Sequence, residues 1–289
     1  MTLAQYSWVY IAYLVGVILF GAWVRITGSG AGCGDHWPLC NGEVIPRDLP
    51  TTRIIELTHR VTSGISGLFG IYLLFKAWKT SARGWAIASF IFLLLEGFIG
   101  AVLVKKELVA GDASVSRAIV ISLHLLNTLA LVFCTVAVAV KASPVARVSG
   151  VWSRPVWILG LFAVVLTSMS GAITALGDTL FPTQPAFGPE LIAKIREDLN
   201  ATQHFLVRLR LIHPVVAAAS AAILLVLLAR LQRATKDRWA LTGLALCAAQ
   251  VLLGLLNIQL GAPGWMQIAH LAMAQALWIV LSRLLFTLA

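Results

Sequence analysis

Charged side chains are scarce in this chain: they make up 12% of its 289 residues, whereas 59% of the residues are hydrophobic. So little polar surface cannot cover a domain folded in water, and the composition therefore excludes an ordinary soluble protein. Basic residues are missing before the first apolar run, and no small-residue cleavage site follows that run. We therefore expect this run to be retained and not removed as a signal. The sequence predicts an all-α, multi-pass membrane protein.

Runs of about twenty apolar residues are long enough to cross the hydrocarbon core of a bilayer as helices. They lie approximately at Tyr6–Val24, Ile54–Trp78, Gly84–Val104, Arg117–Val140, Val156–Leu176, Phe205–Leu228, Trp239–Leu260 and Met266–Phe286. The prediction is eight transmembrane helices.

Acidic residues are nearly absent from one side of the predicted membrane. The loops after the second, fourth and sixth helices, together with the C-terminal end, carry the single acid Asp237 against eleven basic residues. The positive-inside rule makes this side cytoplasmic, which places both termini in the cytoplasm and the chain in the cell membrane. The formal net charge of +10 then reflects topology and contact with anionic membrane lipid. No nucleic-acid partner is expected, because the basic residues are divided among short loops.

One spacing relates the two halves of the chain. Three pairs of residues are 154 positions apart: His59 and His213, Glu96 and Gln250, and Gly100 and Gly254. A unit of four helices preserves the in-out orientation, so the pattern predicts a parallel repeat about an axis along the membrane normal. We therefore expect two pseudo-symmetric four-helix bundles, at residues 1–143 and 144–289, joined by a linker at Lys141–Arg154.

Each half carries two histidines within predicted membrane helices: His59 and His124 in the first, and His213 and His270 in the second. Ionisable groups inside a bilayer are costly and usually functional. A single buried histidine is commonly a hydrogen-bonded structural residue, but four in comparable places are harder to explain in that way. Two pairs of facing histidines would supply the axial ligands that haem iron needs inside a helical bundle.

The halves differ beside their first histidine. Glu56 precedes His59 by three residues and shares its helix face, so a carboxylate and a metal-ligating ring could meet the same bound group. The equivalent position in the second half is Arg210. Arg208 and Arg210 are suited to haem propionates, and Arg60 is a further candidate for propionate binding or positioning. For Arg208, anchoring of the helix at the membrane interface is an equal alternative.

Cysteine is rare, with four residues in the chain, and two of them lie in one glycine-rich external loop. Cys33 and Cys40 are close enough in sequence to close a small ring, and the oxidising side of the membrane favours a disulfide over two free thiols. Cys134 and Cys247 lie in apolar helices and are interpreted as packing residues. The corresponding loop of the second half, 177–203, lacks cysteine and is expected to hold a short amphipathic helix.

Glu96 lies within the third apolar run. We interpret it as a residue hydrogen-bonded between helices, with a role in a proton path as the alternative. A transporter built on parallel repeats could use Glu96 and Gln250 as its polar centre. Such a transporter predicts broken helices, however, whereas these apolar runs are continuous.

Together these features resemble the haem A synthase family of respiratory membranes. The resemblance is carried by Thr27-Gly28-Ser29-Gly30, Gly32-Cys33-Gly34, Trp37-Pro38-Leu39-Cys40, Glu56-Leu57-Thr58-His59-Arg60 followed by Ser63-Gly64, and single histidines in helices four, six and eight. It covers the whole chain and is stronger in the first half. The resemblance implies oxidation of the haem O methyl group to the formyl group of haem A, through hydroxymethyl haem, for the assembly of cytochrome oxidase.

The resemblance also implies roles for individual residues. His213 and His270 would ligate a resident haem b, whereas His59 and His124 would hold the iron of the substrate, haem O. Glu56 would be the catalytic carboxylate. A haem O synthase would hand over the substrate, and an electron donor that the sequence does not identify would be a further partner.

Two histidines on the substrate iron leave no axial position for dioxygen. Either one histidine must dissociate, or the methyl group is oxidised by removal of electrons and attack of water, with Glu56 as base or charge stabiliser. The alternative function is a bis-histidine membrane cytochrome b that carries electrons without oxidising a substrate. An electron carrier needs no carboxylate in one half alone, so the asymmetry at Glu56 favours an enzyme.

Overall fold

The computed structural model describes residues 1–144 and 154–287. The chain divides into two compact units, Met1–Ala142 and Ser143–Ala289. Within the described ranges all regular structure is helical, apart from an isolated bridge between Cys40 and Glu43, and this confirms the all-α prediction. Most of the predicted linker, Lys141–Arg154, lies outside the described residues.

Unit 1 contains four long helices. They are α1 (Leu3–Ile26), α2 (Thr51–Ala77), α3 (Arg83–Lys105) and α4 (Val115–Lys141), with a short 3-10 helix at Ser29–Ala31. The first and last begin at side-chain caps, because Thr2 forms a capping box with Gln5 and Ser114 accepts a hydrogen bond from the backbone of Arg117. Helix α1 packs on α2 and α4, and α3 packs on the same two helices, so the four helices close a ring.

Unit 2 contains four long helices and two short ones. They are α5 (Arg154–Leu180), α6 (Pro189–Asp198), α7 (Phe205–Leu209), α8 (Ile212–Thr235), α9 (Arg238–Gln259) and α10 (Gly264–Thr287). Helices α5, α8, α9 and α10 close a ring of the same order as in unit 1. Helix α6 is the short helix expected in the external loop. The sixth apolar run is divided between α7 and α8, and Pro214 lies in the first turn of α8, where proline is tolerated.

Seven helices of the described ranges are long and apolar enough to cross a membrane: α1, α3, α4, α5, the α7–α8 segment, α9 and α10. Helix α2 has 27 residues and therefore the length, but it is less apolar because its first turns carry Arg53, Glu56, His59 and Arg60. A multi-pass membrane protein is thus supported by seven helices. The eighth span and the arrangement of eight spans in two bundles stay predictions.

Three tyrosines join α1 to α2. The hydroxyl groups of Tyr6, Tyr10 and Tyr13 donate to main-chain oxygens of α2, at Phe69 (2.8 Å), Ser66 (3.1 Å) and Thr62 (2.7 Å) respectively. The donors advance by four and three residues while the acceptors retreat by three and four, so one face of each antiparallel helix meets the other. Tyr10 is fully buried within the core cluster of unit 1.

We expect the variant Tyr10→Phe to lower the stability of unit 1 by about 1 kcal/mol, because a buried hydrogen bond is lost while the ring packing is kept. For a protein of this size that corresponds to a fall of roughly 2–4 °C in the unfolding midpoint, which thermal unfolding in detergent measures. Tyr72→Phe is the control, since Tyr72 is largely exposed. Equal midpoints for the two variants would contradict a role for the Tyr10 hydroxyl.

Candidate functional site

His213 and His270 lie close together in unit 2. Their ring centroids are 6.4 Å apart and their planes are nearly perpendicular, at 89°. Two imidazoles on opposite sides of one metal ion, each with a metal–nitrogen bond of about 2 Å, place their ring centres about 6 Å apart. The observed separation fits a shared metal ion, and the structure therefore brings together the two histidines predicted for this half.

The ring of His213 is oriented by α5. Its Nδ1 lies 3.1 Å from the main-chain oxygen of Thr167 and 3.2 Å from the hydroxyl of Ser170. A metal-binding histidine typically donates its other ring N–H to an oxygen of this kind, which fixes the tautomer and directs the second nitrogen to the metal. Nε2 of His213 is thus the nitrogen left for a metal.

His270 has a different set of neighbours. Its Nε2 lies 3.1 Å from the side-chain nitrogen of Gln250, and its buried Nδ1 has no hydrogen bond among the described residues. Iron bound at Nε2 would replace the contact with Gln250. A buried imidazole with one nitrogen in a replaceable contact can serve as a metal ligand, and an unpaired polar atom is costly in a purely structural role.

Three of the four histidine rings pack against a glycine on a neighbouring helix. A Cβ atom added to Gly21, Gly171 or Gly254 would come within 3.0–3.3 Å of Cε1 of His59, His213 or His270 respectively. Any larger residue would therefore press on the imidazole. These glycines were not recognised as site residues in the sequence, although Gly254 was one of the repeat pairs.

Glu56 is the centre of the polar contacts in unit 1. The residue as a whole is 3% exposed. One oxygen accepts a hydrogen bond from the backbone N–H of Cys33 at 2.7 Å, and the other accepts from the guanidinium of Arg60, with Nε at 3.1 Å. Arg60 in turn donates to the main-chain oxygens of His36 and Leu39, each at 2.7 Å. The carboxylate is therefore bound to the external loop as well as to its own helix.

The external loop is closed by the predicted disulfide. Cys33 and Cys40 are bonded, with their Cα atoms 4.4 Å apart, and both are fully buried. Gly32 packs so closely on α2 that a Cβ atom there would lie 2.5 Å from the main-chain oxygen of Thr52. The loop thus requires glycine at this position. Cys134 and Cys247 are buried free thiols, as the sequence indicated.

His59 lies one turn from Glu56, and its ring is 5.9 Å from that of Phe20. Its buried Nδ1 has no hydrogen bond among the described residues. His124 lies on α4, in the same unit as His59.

Glu96 lies beside His124 and connects α3 to α4. Its two carboxyl oxygens accept hydrogen bonds from the side chains of Asn127 and Thr128. The oxygen that faces Thr128, Oε1, is also 3.4 Å from Nδ1 of His124. The interhelical hydrogen bonds expected of Glu96 are thus present, and Asn127 and Thr128 are partners that the sequence analysis did not single out.

Arg210 is buried and surrounded by oxygen atoms. Its Nε lies 2.9 Å from Asp178 and its Nη1 lies 3.9 Å from Asp198. Nη2 donates to the main-chain oxygens of Gly177, at 2.9 Å, and Phe181. Burial raises the pKa of Asp198, although Arg210 opposes this shift. Arg210 thus holds the external loop and α6 to the end of α5, which leaves it little capacity for a propionate.

Arg208 differs from Arg210 in its exposure. Its side chain is exposed and forms no ion pair or hydrogen bond with the part of the chain that the structure describes. An open cavity of about 710 Å³ in unit 2 is bordered by Thr183, Lys194, Asp198 and Arg210, and Arg208 is not among its lining residues. Of the two arginines proposed for propionates, Arg208 is the one whose guanidinium is available.

Comparison with known proteins places these features in a family context. The family model described as cytochrome oxidase assembly protein matches residues 4–53 and 48–282. Proteins named protoheme IX farnesyltransferase from two strains of Thermus thermophilus are each 42% identical over 291 residues, which cover 96% of this chain and 47% of each relative. The chain therefore spans about half the length of these relatives.

Proteins named heme A synthase also match. Those from Bacillus mycoides and Bacillus cereus are 46% identical over 93 residues, which cover 30% of this chain and 30% of each relative. The two groups of relatives thus carry the names of different reactions on haem.

We expect Gly21→Val to displace the ring of His59 and to reduce haem retention in unit 1. Overpacking of this kind costs about 1–3 kcal/mol, which corresponds to a loss of affinity of roughly 5- to 150-fold. Absorbance of the purified protein after haem titration measures the effect.

Gly16→Val is the matched control on the same helix, because nothing lies within 4 Å of a Cβ atom at Gly16. Equal haem retention by the two variants would show that the glycine does not position the ring.

Proposed function

Because this chain belongs to the cytochrome oxidase assembly protein family, we propose that it oxidises the methyl group of haem O to the formyl group of haem A. The observation that carries the proposal is the buried carboxylate of Glu56, one turn from His59 and covered by a disulfide-closed loop. The equivalent position in unit 2 is Arg210. The histidine pair that shares its unit with Glu56 would hold the reacting haem. The other pair would hold a resident haem.

The resident haem is assigned to unit 2. His213 and His270 would ligate haem b, which supplies one-electron transfer when bound. The 6.4 Å separation of their rings and the hydrogen bond from His213 to Thr167 support this assignment. Arg208, with its exposed guanidinium, would bind a propionate, whereas Arg210 positions the external loop.

The substrate is assigned to unit 1, where His59 and His124 would hold the iron of haem O. Each of two rounds replaces one C–H bond of the methyl carbon by C–OH. With water as the oxygen source, each round consumes one water and releases two protons. It also passes two electrons to a partner that accepts electrons. The second round gives a gem-diol, which loses water to become the formyl group.

Glu56 would act on the charge that develops during these rounds. A carboxylate held by fixed N–H donors in a site of low dielectric stabilises positive charge strongly, and it can also accept a proton. Arg60 and the backbone of Cys33 keep the carboxylate in place, so they are positioning groups. The external loop would exclude water other than the reacting molecule.

We also propose the full topology of eight spans in two pseudo-symmetric bundles, with both termini in the cytoplasm of a cell-membrane protein. Helix α2 would be the eighth span, since 27 residues of helix reach about 40 Å. Bound haem would then cover part of its polar face. The domains would be the substrate site at residues 1–143 and the haem b site at residues 144–289.

A second candidate is prenyl transfer to protohaem, as the name of the Thermus relatives suggests. The observation that favours it is their 42% identity over 96% of this chain. These relatives, however, extend over about twice the length of the match, so the remaining half offers room for a separate activity. We therefore place the oxidation first and expect this chain to receive haem O from a haem O synthase.

The function is tested by expressing the chain in a membrane host that has haem O but lacks haem A activity. We expect haem A or hydroxymethyl haem on chromatography of the extracted haems. Supply of haem B and farnesyl diphosphate to purified protein tests prenyl transfer, with haem O as its product. Unchanged haem O from well-folded, haem-loaded protein supplied with a working electron acceptor would instead favour the cytochrome b electron carrier.

For Glu56→Gln we expect conversion of haem O to fall about 100-fold, because the charged group is replaced by a neutral one of the same shape. Product chromatography at matched haem occupancy measures the change. Glu43→Gln is the control, since Glu43 is an exposed acid of the same loop. Normal conversion by Glu56→Gln with intact haem binding would exclude the proposed role.

A further inference from the structure

The carboxylate of Glu96 lies beside Nδ1 of His124. Nδ1 of His124 is buried and has no hydrogen bond within the described ranges, and Oε1 of Glu96 is 3.4 Å away. A histidine that binds a metal through Nε2 carries its proton on Nδ1, and that proton needs an acceptor. At 3.4 Å the two atoms are at the edge of hydrogen-bond distance, so the alignment of the Nδ1–H bond is what a rotation of the ring has to change.

The carboxylate of Glu96 is held in this place by the helix that carries His124. Asn127 and Thr128 of α4 donate to its two oxygens, and Asn127 also donates to the main-chain oxygen of Phe92 on α3 at 2.8 Å. All three contacts connect α3 to α4 within one turn of His124. The carboxylate is therefore fixed relative to the imidazole, as an oriented acceptor must be.

Unit 2 is built differently at the equivalent place. Gln250 occupies the repeat position of Glu96, and its side-chain nitrogen faces Nε2 of His270 at 3.1 Å. In unit 1 the carboxylate of Glu96 thus lies beside Nδ1 of His124, which leaves Nε2 for a metal. In unit 2 the neutral amide of Gln250 instead lies beside Nε2 of His270, the nitrogen that a metal would take. The two units therefore differ at Glu56 and also in the neighbours of a candidate iron ligand, His124 or His270.

We propose that Glu96 accepts the Nδ1 hydrogen of His124 when iron occupies Nε2, and that it thereby lowers the reduction potential of the haem in unit 1. A carboxylate acceptor increases the basicity of the imidazole, and a more basic axial ligand stabilises ferric over ferrous iron. Glu96 is then a positioning and tuning residue that acts through His124. The inference rests on the proposed function, because it requires haem at His124.

A purely structural role for Glu96 predicts a different result. As a link between α3 and α4, Glu96 would affect stability and leave the potential unchanged. The pair Ser89 and Thr135 provides a comparison, since these residues form a buried hydrogen bond of 2.9 Å between the same two helices. The measured quantity must therefore be the potential of the bound haem.

The experiment is an anaerobic redox titration of the haem-loaded full chain, followed by its visible absorbance and fitted with two components. In Glu96→Gln we expect the midpoint potential of one component to rise, because a neutral amide replaces the carboxylate acceptor. The other component should stay at its wild-type value. Ser89→Ala should move neither component.

Unchanged midpoints in haem-loaded Glu96→Gln, or an equal shift in Ser89→Ala, would overturn the inference without affecting the proposed oxidation. If Glu96→Gln binds no haem in unit 1, Glu96→Asp decides the question. Its carboxylate ends one carbon farther from His124, so a midpoint above wild type is expected and an unchanged one contradicts the inference. Wild-type protein that binds haem in unit 2 alone would instead contradict the proposed function and, with it, this inference.

Discussion

A charged group buried among apolar helices must find its partner inside the protein, because lipid offers none. Both units meet this constraint at one repeat position, but with opposite charge. In unit 1 the position holds Glu56, which is paired with Arg60 and the backbone of Cys33. In unit 2 it holds Arg210, which is surrounded by Asp178 and main-chain oxygens. Each charged side chain contacts the loop next to it, and the two loops therefore differ in the groups that they present to it.

The two sites that result share a plan but differ in chemistry. A small residue faces the histidine on α2, α8 and α10, which gives each of these rings a fixed position. The site in unit 1 contains the buried carboxylate of Glu56, whereas the His213–His270 pair is supported by neutral partners, namely Thr167, Ser170 and Gln250. A similar ring of four helices thus carries different polar neighbours in the two units.

Much of this organisation could be predicted from sequence, because it depends on features with a clear linear pattern. Apolar length located the helices, the compartment and spacing located the disulfide, and a 154-residue repeat connected His59 to His213. The division of the sixth run into α7 and α8 was not predicted, since the apolar character continues across it.

The remaining contacts depend on which helix faces lie against each other. Gly21 reaches His59 across a helix interface, and the tyrosines of α1 find carbonyl groups on α2. The positive charge of Arg210 made it a candidate for propionate binding or positioning. Its observed partner, Asp178, lies at the end of another helix, and sequence spacing cannot predict that pair. Such contacts require the rotation of each helix about its axis, which the single sequence leaves open.

The tyrosine contacts have a consequence for the order in which unit 1 is assembled. Donors and acceptors belong to α1 and α2, which are consecutive in the chain, so they need neither α3 nor α4. During synthesis these two helices can therefore join as a hairpin before the rest of the unit is made. The same pairing sets the depth of α2 relative to α1. Helix α2, the most polar helix of the unit, is thus positioned by α1, which is more apolar and precedes it in the chain.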